Sequence, residues 1–256
     1  MSAFRLAIEL AERAFGVRIV RPWAIALLFE QQHLRRFFEY FEVDCVFDVG
    51  ANAGQYADML RRHVGYKGTI ISYEPIPELA AKMRTAARSD RSWFIEELAL
   101  SSQKGTATFN IFAVDQFSSL HSAFTAEVRQ FEQQTKIVRG ITVNTDTLEN
   151  EIAKYQSRLG FRRPFLKMDT QGHDLAVAMG AGRMLGEFVG LQSELAIKRI
   201  YVDSPTYEQA LEFFRNHGFE LSAFVPNNAG HFPRLIETDC IMFRARPSRQ
   251  SPCACR

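Results

Sequence analysis

The sequence predicts an α/β fold: a mostly parallel, seven-stranded sheet with helices on both faces. Three observations predict it. From Asp44 onward, short β-rich runs alternate with helical patterns, which is how a parallel sheet covered by helices reads. The run Val46-Phe47-Asp48-Val49 passes through a glycine-containing turn into a helical pattern, as in Rossmann-like sheets. A chain of 256 residues, 46% hydrophobic, is also long enough for one sizeable α/β core with residues to spare. The expected organisation is an N-terminal helical cap over 1–43, the α/β domain over 44–246 and a disordered tail over 247–256.

Taken in order, Phe4, Ala7, Ile8, Ala11, Ala14 and Phe15 recur at helical spacing, with charged residues on the other face. A second helix is expected from Pro22 to Phe41, proline being suited to a first turn. Both helices are expected to pack onto the main domain, because their polar faces carry mixed charge and not a basic stripe. Core strands are expected at Cys45–Val49, Gly68–Glu74, Ser92–Leu98, Pro164–Asp169, Phe188–Glu194, Phe219–Val225 and Asp239–Arg244. Helices are expected at Ala53–His63, Pro77–Arg88, His173–Leu185 and Pro205–His217. Between the third and fourth core strands lies a β/α insertion, Ser101 to Arg163. It holds strand-like Thr106–Ala113 and Ile137–Thr142 and a helix near Thr147–Arg158, and would overhang the strand carboxyl ends.

The formal net charge of +2, with acids and bases mixed, gives no concentrated basic face for a nucleic acid. A small uncharged or weakly charged partner fits better. Cys45 and Cys240 sit in apolar runs, as reduced buried thiols do, and Cys253 and Cys255 match no zinc spacing, so a reducing, cytoplasmic compartment is expected. The apolar stretch Trp23–Phe29 is far too short to span a bilayer, and no signal peptide is visible. Nothing in the sequence determines an oligomeric state.

The segment Val46-Phe47-Asp48-Val49-Gly50-Ala51-Asn52-Ala53-Gly54-Gln55-Tyr56 carries the most chemistry. Gly50 permits a backbone geometry closed to other residues, and Gly54 would let the chain approach a ligand closely. The spacing is Gly-x-x-x-Gly, which lacks the third glycine that a dinucleotide pyrophosphate requires. Asp48 would repel a pyrophosphate but suits the cationic amino-acid moiety of S-adenosylmethionine. Glu74 closes the second strand 24 positions after Gly50, where a carboxylate can accept hydrogen bonds from both ribose hydroxyls. The third strand ends at Glu97-Leu98-Ala99, beside the place of an adenine ring. The expected cofactor contacts are therefore Asp48, Gly50, Asn52, Gly54, Tyr56, Glu74, Glu97 and Ala99.

At this point the chain resembles a known family, the FkbM-type S-adenosylmethionine-dependent methyltransferases of class I. The resemblance covers roughly residues 45 to 244 in several motifs: Val46–Asn52, Tyr73-Glu74-Pro75, Ala99–Ser102 followed by Gly105, Thr145–Leu148, Leu166–Gly172 and Leu191–Leu195. It implies O-methylation of a hydroxyl on a sugar, glycolipid or secondary metabolite. After Gly172 the chain departs from the expected aromatic-Glu pair and has His173-Asp174, which bears on the acceptor side.

Methyl transfer from a sulfonium is an in-line displacement, so alignment contributes much of the catalysis, and an alcohol acceptor also needs a base. The candidates are Asp169 at the end of the fourth strand, His173 in the following turn and Glu194 at the end of the fifth strand. Each has a plainer alternative: Asp169 holding the turn or the cofactor, His173 opening the helix, and Glu194 pairing with Lys167. No metal-ligand spacing appears, so no metal is expected. Phe117-Ser118-Ser119-Leu120-His121 lines the acceptor pocket or forms a surface turn. The twenty-two phenylalanines are read as mostly core. A nucleotide-dependent oxidoreductase and an N- or carboxyl-methyltransferase stand as alternatives.

Overall fold

A computed structural model describes residues 25–113, 118–121, 136–226 and 233–245. The first expected helix, Phe117 and the cysteine tail lie outside the described residues. In chain order the elements are α1 (Ile25–Phe41), β1 (Cys45–Val49), α2 (Gln55–Met59), β2 (Thr69–Tyr73), α3 (Pro77–Ala86), β3 (Trp93–Glu96), β4 (Ala99–Ser101), β5 (Gly105–Phe112) and β6 (Ile137–Thr147). They continue as α4 (Leu148–Leu159), β7 (Pro164–Met168), α5 (Asp174–Met179), β8 (Gly190–Ala196), α6 (Tyr207–Asn216), β9 (Phe219–Pro226) and β10 (Glu237–Arg244).

Seven strands form the main sheet in the order β3-β2-β1-β7-β8-β10-β9, parallel except for β10, which runs antiparallel to both its neighbours. The central strands β1 and β7 are buried at every position, as expected for parallel strands covered on both faces. Alternation sends Cys45, Phe47 and Val49 into one core with Tyr155 of α4, Val177 of α5 and Phe214 of α6. Val46, Ile70 and Phe165 point the other way, toward Leu34, Phe37 and Phe38 of α1 and Ala57 of α2. The spacing 30, 34, 37, 38, 41 on α1 is an i, i+4, i+7, i+8, i+11 stripe, and its apolar members cover this second face.

The insertion between β3 and β7 folds as a three-stranded sheet of order β4-β6-β5, followed by α4. Strand β4 is an element the sequence pattern did not separate, since Ala99–Ser101 pairs with β6 and not with the main sheet. Two expected helices are interrupted. The α2 helix passes into a wider π turn over Leu60–Val64. The α5 helix ends at Met179 and gives way to a 3-10 turn over Gly182–Glu187. The second break has a close contact behind it: a Cβ at Gly180 would lie 2.1 Å from the Ser101 carbonyl oxygen of β4. Helix α4 is defined at both ends, by Thr147 accepting from the Asn150 N–H and by Gly160 in a left-handed C-cap.

Candidate active site

A cavity of about 810 Å³ opens at the carboxyl ends of β1, β2, β7 and β8, the general binding position of an open α/β sheet. The β1–α2 turn forms its floor. Gly50 has φ +77, and a Cβ there would sit 2.0 Å from the Asp169 carbonyl oxygen, so only glycine lets this turn lie against the end of β7. The N–H groups of Gly50 and Ala51 both donate to the Tyr73 carbonyl, at 3.1 and 3.0 Å, tying the turn to β2. Asn52, with φ 49, is one of few non-glycine residues in the left-handed region. Its N–H donates to Glu74 Oε2 at 2.8 Å, and the Ile76 N–H donates to Oε1 at 2.9 Å.

The carboxylate that closes β2 is thus held by one backbone donor on each oxygen, with acceptor capacity left over for a diol. Burial pushes its pKa up to about 7 against those two hydrogen bonds. Ala99 and Leu98 line the wall beyond it.

Of the residues expected at the cofactor, Gly50, Asn52, Tyr56, Glu74 and Ala99 line this cavity, and Asp48, Gly54 and Glu97 do not. The physical reasons differ. Asp48 is fully buried, because strand alternation turns it onto the sheet face covered by α1 and α2. There it accepts from Ser72 Oγ at 2.9 Å and lies 3.4 Å from Lys167 Nζ. Gly54 serves packing: a Cβ would meet the Trp93 ring at 2.9 Å. Glu97 turns outward where the chain leaves β3 for β4, and pairs with Arg84 at 2.9 Å.

Asp169, His173 and Glu194 all reach the cavity. Asp169, 42% exposed at its side chain, stands 3.4 Å from Lys167 Nζ and accepts from Gln171 Nε2 at 2.7 Å. The same Gln171 amide donates to Glu194 Oε2 at 3.0 Å, and its carbonyl accepts from Tyr201 OH at 2.5 Å. Lys167, whose pairing with Glu194 was one of two alternatives for that glutamate, forms its ion pairs with Asp48 and Asp169. Burial opposes the ammonium, yet those two carboxylates outweigh it and hold Lys167 protonated. His173 has Nε2 3.0 Å from Ser101 Oγ and Nδ1 3.0 Å from His121 Nε2. Burial, and then His121, pushes its pKa down to about 4, so the ring is neutral. Asp174 is buried within the turn, accepting from Thr170 N–H and hydroxyl, Ser193 Oγ and the Glu194 N–H. It therefore shapes the β7–α5 turn and the end of β8.

Sequence reasoning missed one whole side of the cavity. Gln192, 1% exposed, accepts from Tyr56 OH at 3.0 Å and donates to Glu30 Oε1 and Asp239 Oδ2, each at 2.8 Å. Glu30 comes from α1, and Glu237 and Asp239 come from β10. Burial, with Asp169 next, pushes Asp239 up to about 8. Burial and neighbouring carboxylates likewise raise Glu194 and Glu237. The available signal was a polar triplet in each strand, Gln192-Ser193-Glu194 and Glu237-Thr238-Asp239, whose first and third members share one face. Among the described residues, no group of His, Cys, Asp and Glu is arranged to hold a metal ion, and no helix is long and apolar enough to cross a membrane.

The residues present fit S-adenosylmethionine: a backbone-braced carboxylate for the ribose, an apolar wall at Leu98 and Ala99, and room for the whole molecule. Among curated proteins, no sequence matches this chain. Solved structures are similar at low identity. The O-methyltransferase from Bacillus cereus in complex with SAH is 8% identical, with TM-score 0.47, over 95% of this chain and 92% of that one. Magnesium protoporphyrin IX methyltransferase from Synechocystis PCC 6803 with bound SAM is 10% identical, with TM-score 0.45, over 93% and 91%. Fibrillarin from Aeropyrum pernix, in complex with natively bound S-adenosyl-L-methionine, is 11% identical, with TM-score 0.42, over 78% of this chain and 66% of that one. The sequence itself matches the family described as Methyltransferase FkbM domain over residues 48–221, which decides against the oxidoreductase alternative. The chain belongs to the FkbM methyltransferase family and is an S-adenosylmethionine-dependent enzyme.

Proposed function

We propose that this enzyme methylates a hydroxyl of a sugar, glycolipid or secondary metabolite, with Asp169 as the general base. S-Adenosylmethionine, when bound, supplies an activated methyl group for displacement by the acceptor oxygen. Glu74 and the Gly50–Asn52 turn hold its ribose end, and Leu98 and Ala99 border the base.

The observation that carries the reading is the setting of Asp169. Its carboxylate is open to the cavity at the strand end, and Lys167 and Gln171 fix it from behind. A carboxylate so placed can take the hydroxyl proton as the oxygen attacks. Glu194, raised in pKa by burial, is suited to hydrogen-bond a neighbouring acceptor hydroxyl. His173 has both ring nitrogens engaged within the protein, which favours a positioning role for it over that of base.

The test is transfer from methyl-labelled S-adenosylmethionine to a panel of glycosides. Label retained through mild base on a hydroxyl supports an ether product; label lost as methanol marks an ester and overturns the reading. Asp169→Asn should lower kcat by about a hundredfold or more while SAH affinity stays near that of the parent chain. An unchanged kcat would remove Asp169 as the base.

A further inference from the structure

We propose that α1 and β10 set the charge selectivity of the acceptor end of the cavity, where Glu30, Glu237 and Asp239 admit neutral or cationic acceptors and turn away anionic ones. This rests on the reading that the acceptor meets Asp169, and it adds what kind of molecule can do so.

Gly50, Asn52, Glu74 and Ala99, which build the cofactor end, all fall inside the family match at 48–221. Glu30, Glu237 and Asp239 fall outside it, on the elements that flank the matched region. They nevertheless face the same cavity.

Asp239 lies directly opposite Glu194 in the antiparallel β8–β10 pair, and Glu237 follows two residues away on the same face. Gln192 bonds Glu30 and Asp239 with one amide nitrogen, so three separate elements present their carboxyl groups as one wall.

Among the described residues, Lys167 is the one lysine or arginine in the cavity lining, and Asp48 and Asp169 already share it. A phosphate or carboxylate on the acceptor would meet Glu30, Glu194, Glu237 and Asp239 with no further cation in that lining to receive it. Hydroxyls and amines suit the wall, because carboxyl oxygens accept hydrogen bonds from both, whereas a phosphate or carboxylate brings mainly acceptors of its own.

The experiment uses the full chain loaded with SAH and three matched probes: a methyl hexoside, its 2-amino analogue and its 6-phosphate. Binding is read by saturation-transfer NMR, and methyl transfer is read separately with labelled S-adenosylmethionine. The neutral and amino probes should bind at least tenfold better than the phosphate. Glu237→Gln and Asp239→Asn should each narrow that preference about tenfold, with SAH affinity within twofold of the parent. Binding is read at pH 9, above the raised values of Glu237 and Asp239, so that each amide variant removes a charge; Glu237 makes no side-chain hydrogen bond among the described residues, and a thermal melt confirms folding.

Equal or better binding of the phosphate, an unchanged preference in both variants, or no binding of either uncharged or amino probe overturns the proposal. So does a loss of SAH affinity matching that of Glu74→Ala. If label arrives on nitrogen or carboxylate while the charge order holds, hydroxyl methylation fails and the charge selectivity stands. If label arrives on a hydroxyl with the order reversed, hydroxyl methylation stands and the charge selectivity fails.

Discussion

The two ends of the cavity are built in different ways. The end where we place the cofactor is local: one turn, Gly50–Gly54, and one carboxylate at the next strand end, joined mainly by backbone hydrogen bonds. The acceptor end is assembled from α1, β7, β8 and β10, and side-chain bonds through Gln192, Gln171 and Lys167 hold it together. A site made of backbone donors needs a particular chain geometry and tolerates few changes of residue at the turn. A site made of side-chain bonds can be altered one residue at a time while the sheet beneath it stays the same.

The largest expected effect tests the geometric end. Gly50→Ala places a methyl group against the Asp169 backbone at positive φ, and should cost about 3 kcal/mol or more of stability in urea unfolding. Retention of full stability and SAH binding would mean the turn is less constrained than its contacts imply. Next, Glu74→Ala should weaken SAH binding by roughly thirtyfold to a thousandfold, the loss of one or two hydrogen bonds to a charged group, measured by calorimetry. The same end should titrate. With Glu74 at about 7, SAH affinity should tighten as pH rises from 6 to 8, and Glu74→Gln should flatten that slope.

At the side-chain end, Gln192→Leu leaves Glu30, Asp239 and Tyr56 without their shared partner. It should cost about 2 kcal/mol or more of stability with little change in SAH affinity. Equal damage to SAH binding would erase the distinction between the two ends.

The smallest effect is on the pH dependence of folding. Folded-state pKa values of about 8 for Asp239 and about 7 for Glu74 lie above their ordinary values. The associated stabilisation is complete below the ordinary carboxylate range and is lost as pH rises through 7 to 8. The unliganded enzyme should therefore melt at a lower temperature at pH 8.5 than at pH 5.5, and Asp239→Asn should shrink the difference.

Much of this was legible in the residues alone. The alternation of β-rich and helical runs located all seven strands of the main sheet to within a few residues. Gly50 and Glu74 were readable because each has a local reason to be where it is, a turn and a strand end. Asp48 was expected at the cofactor for an equally local reason, its adjacency to Gly50, and period-two alternation places it beside Ser72 and Lys167, outside the cavity lining. Gly54 shows the same limit, since what its hydrogen spares is the Trp93 ring, 39 positions away in sequence.

By itself, then, the sequence determined the sheet, the glycine turn after β1 and the place of Glu74 at the end of β2, because these follow from short-range periodicity and backbone sterics. Only the tertiary structure decided that Glu30, Gln192, Glu237 and Asp239 share one cavity with Asp169. Strand order, antiparallel register and the seating of α1 on the sheet set those proximities, and all three depend on contacts between residues far apart in the chain.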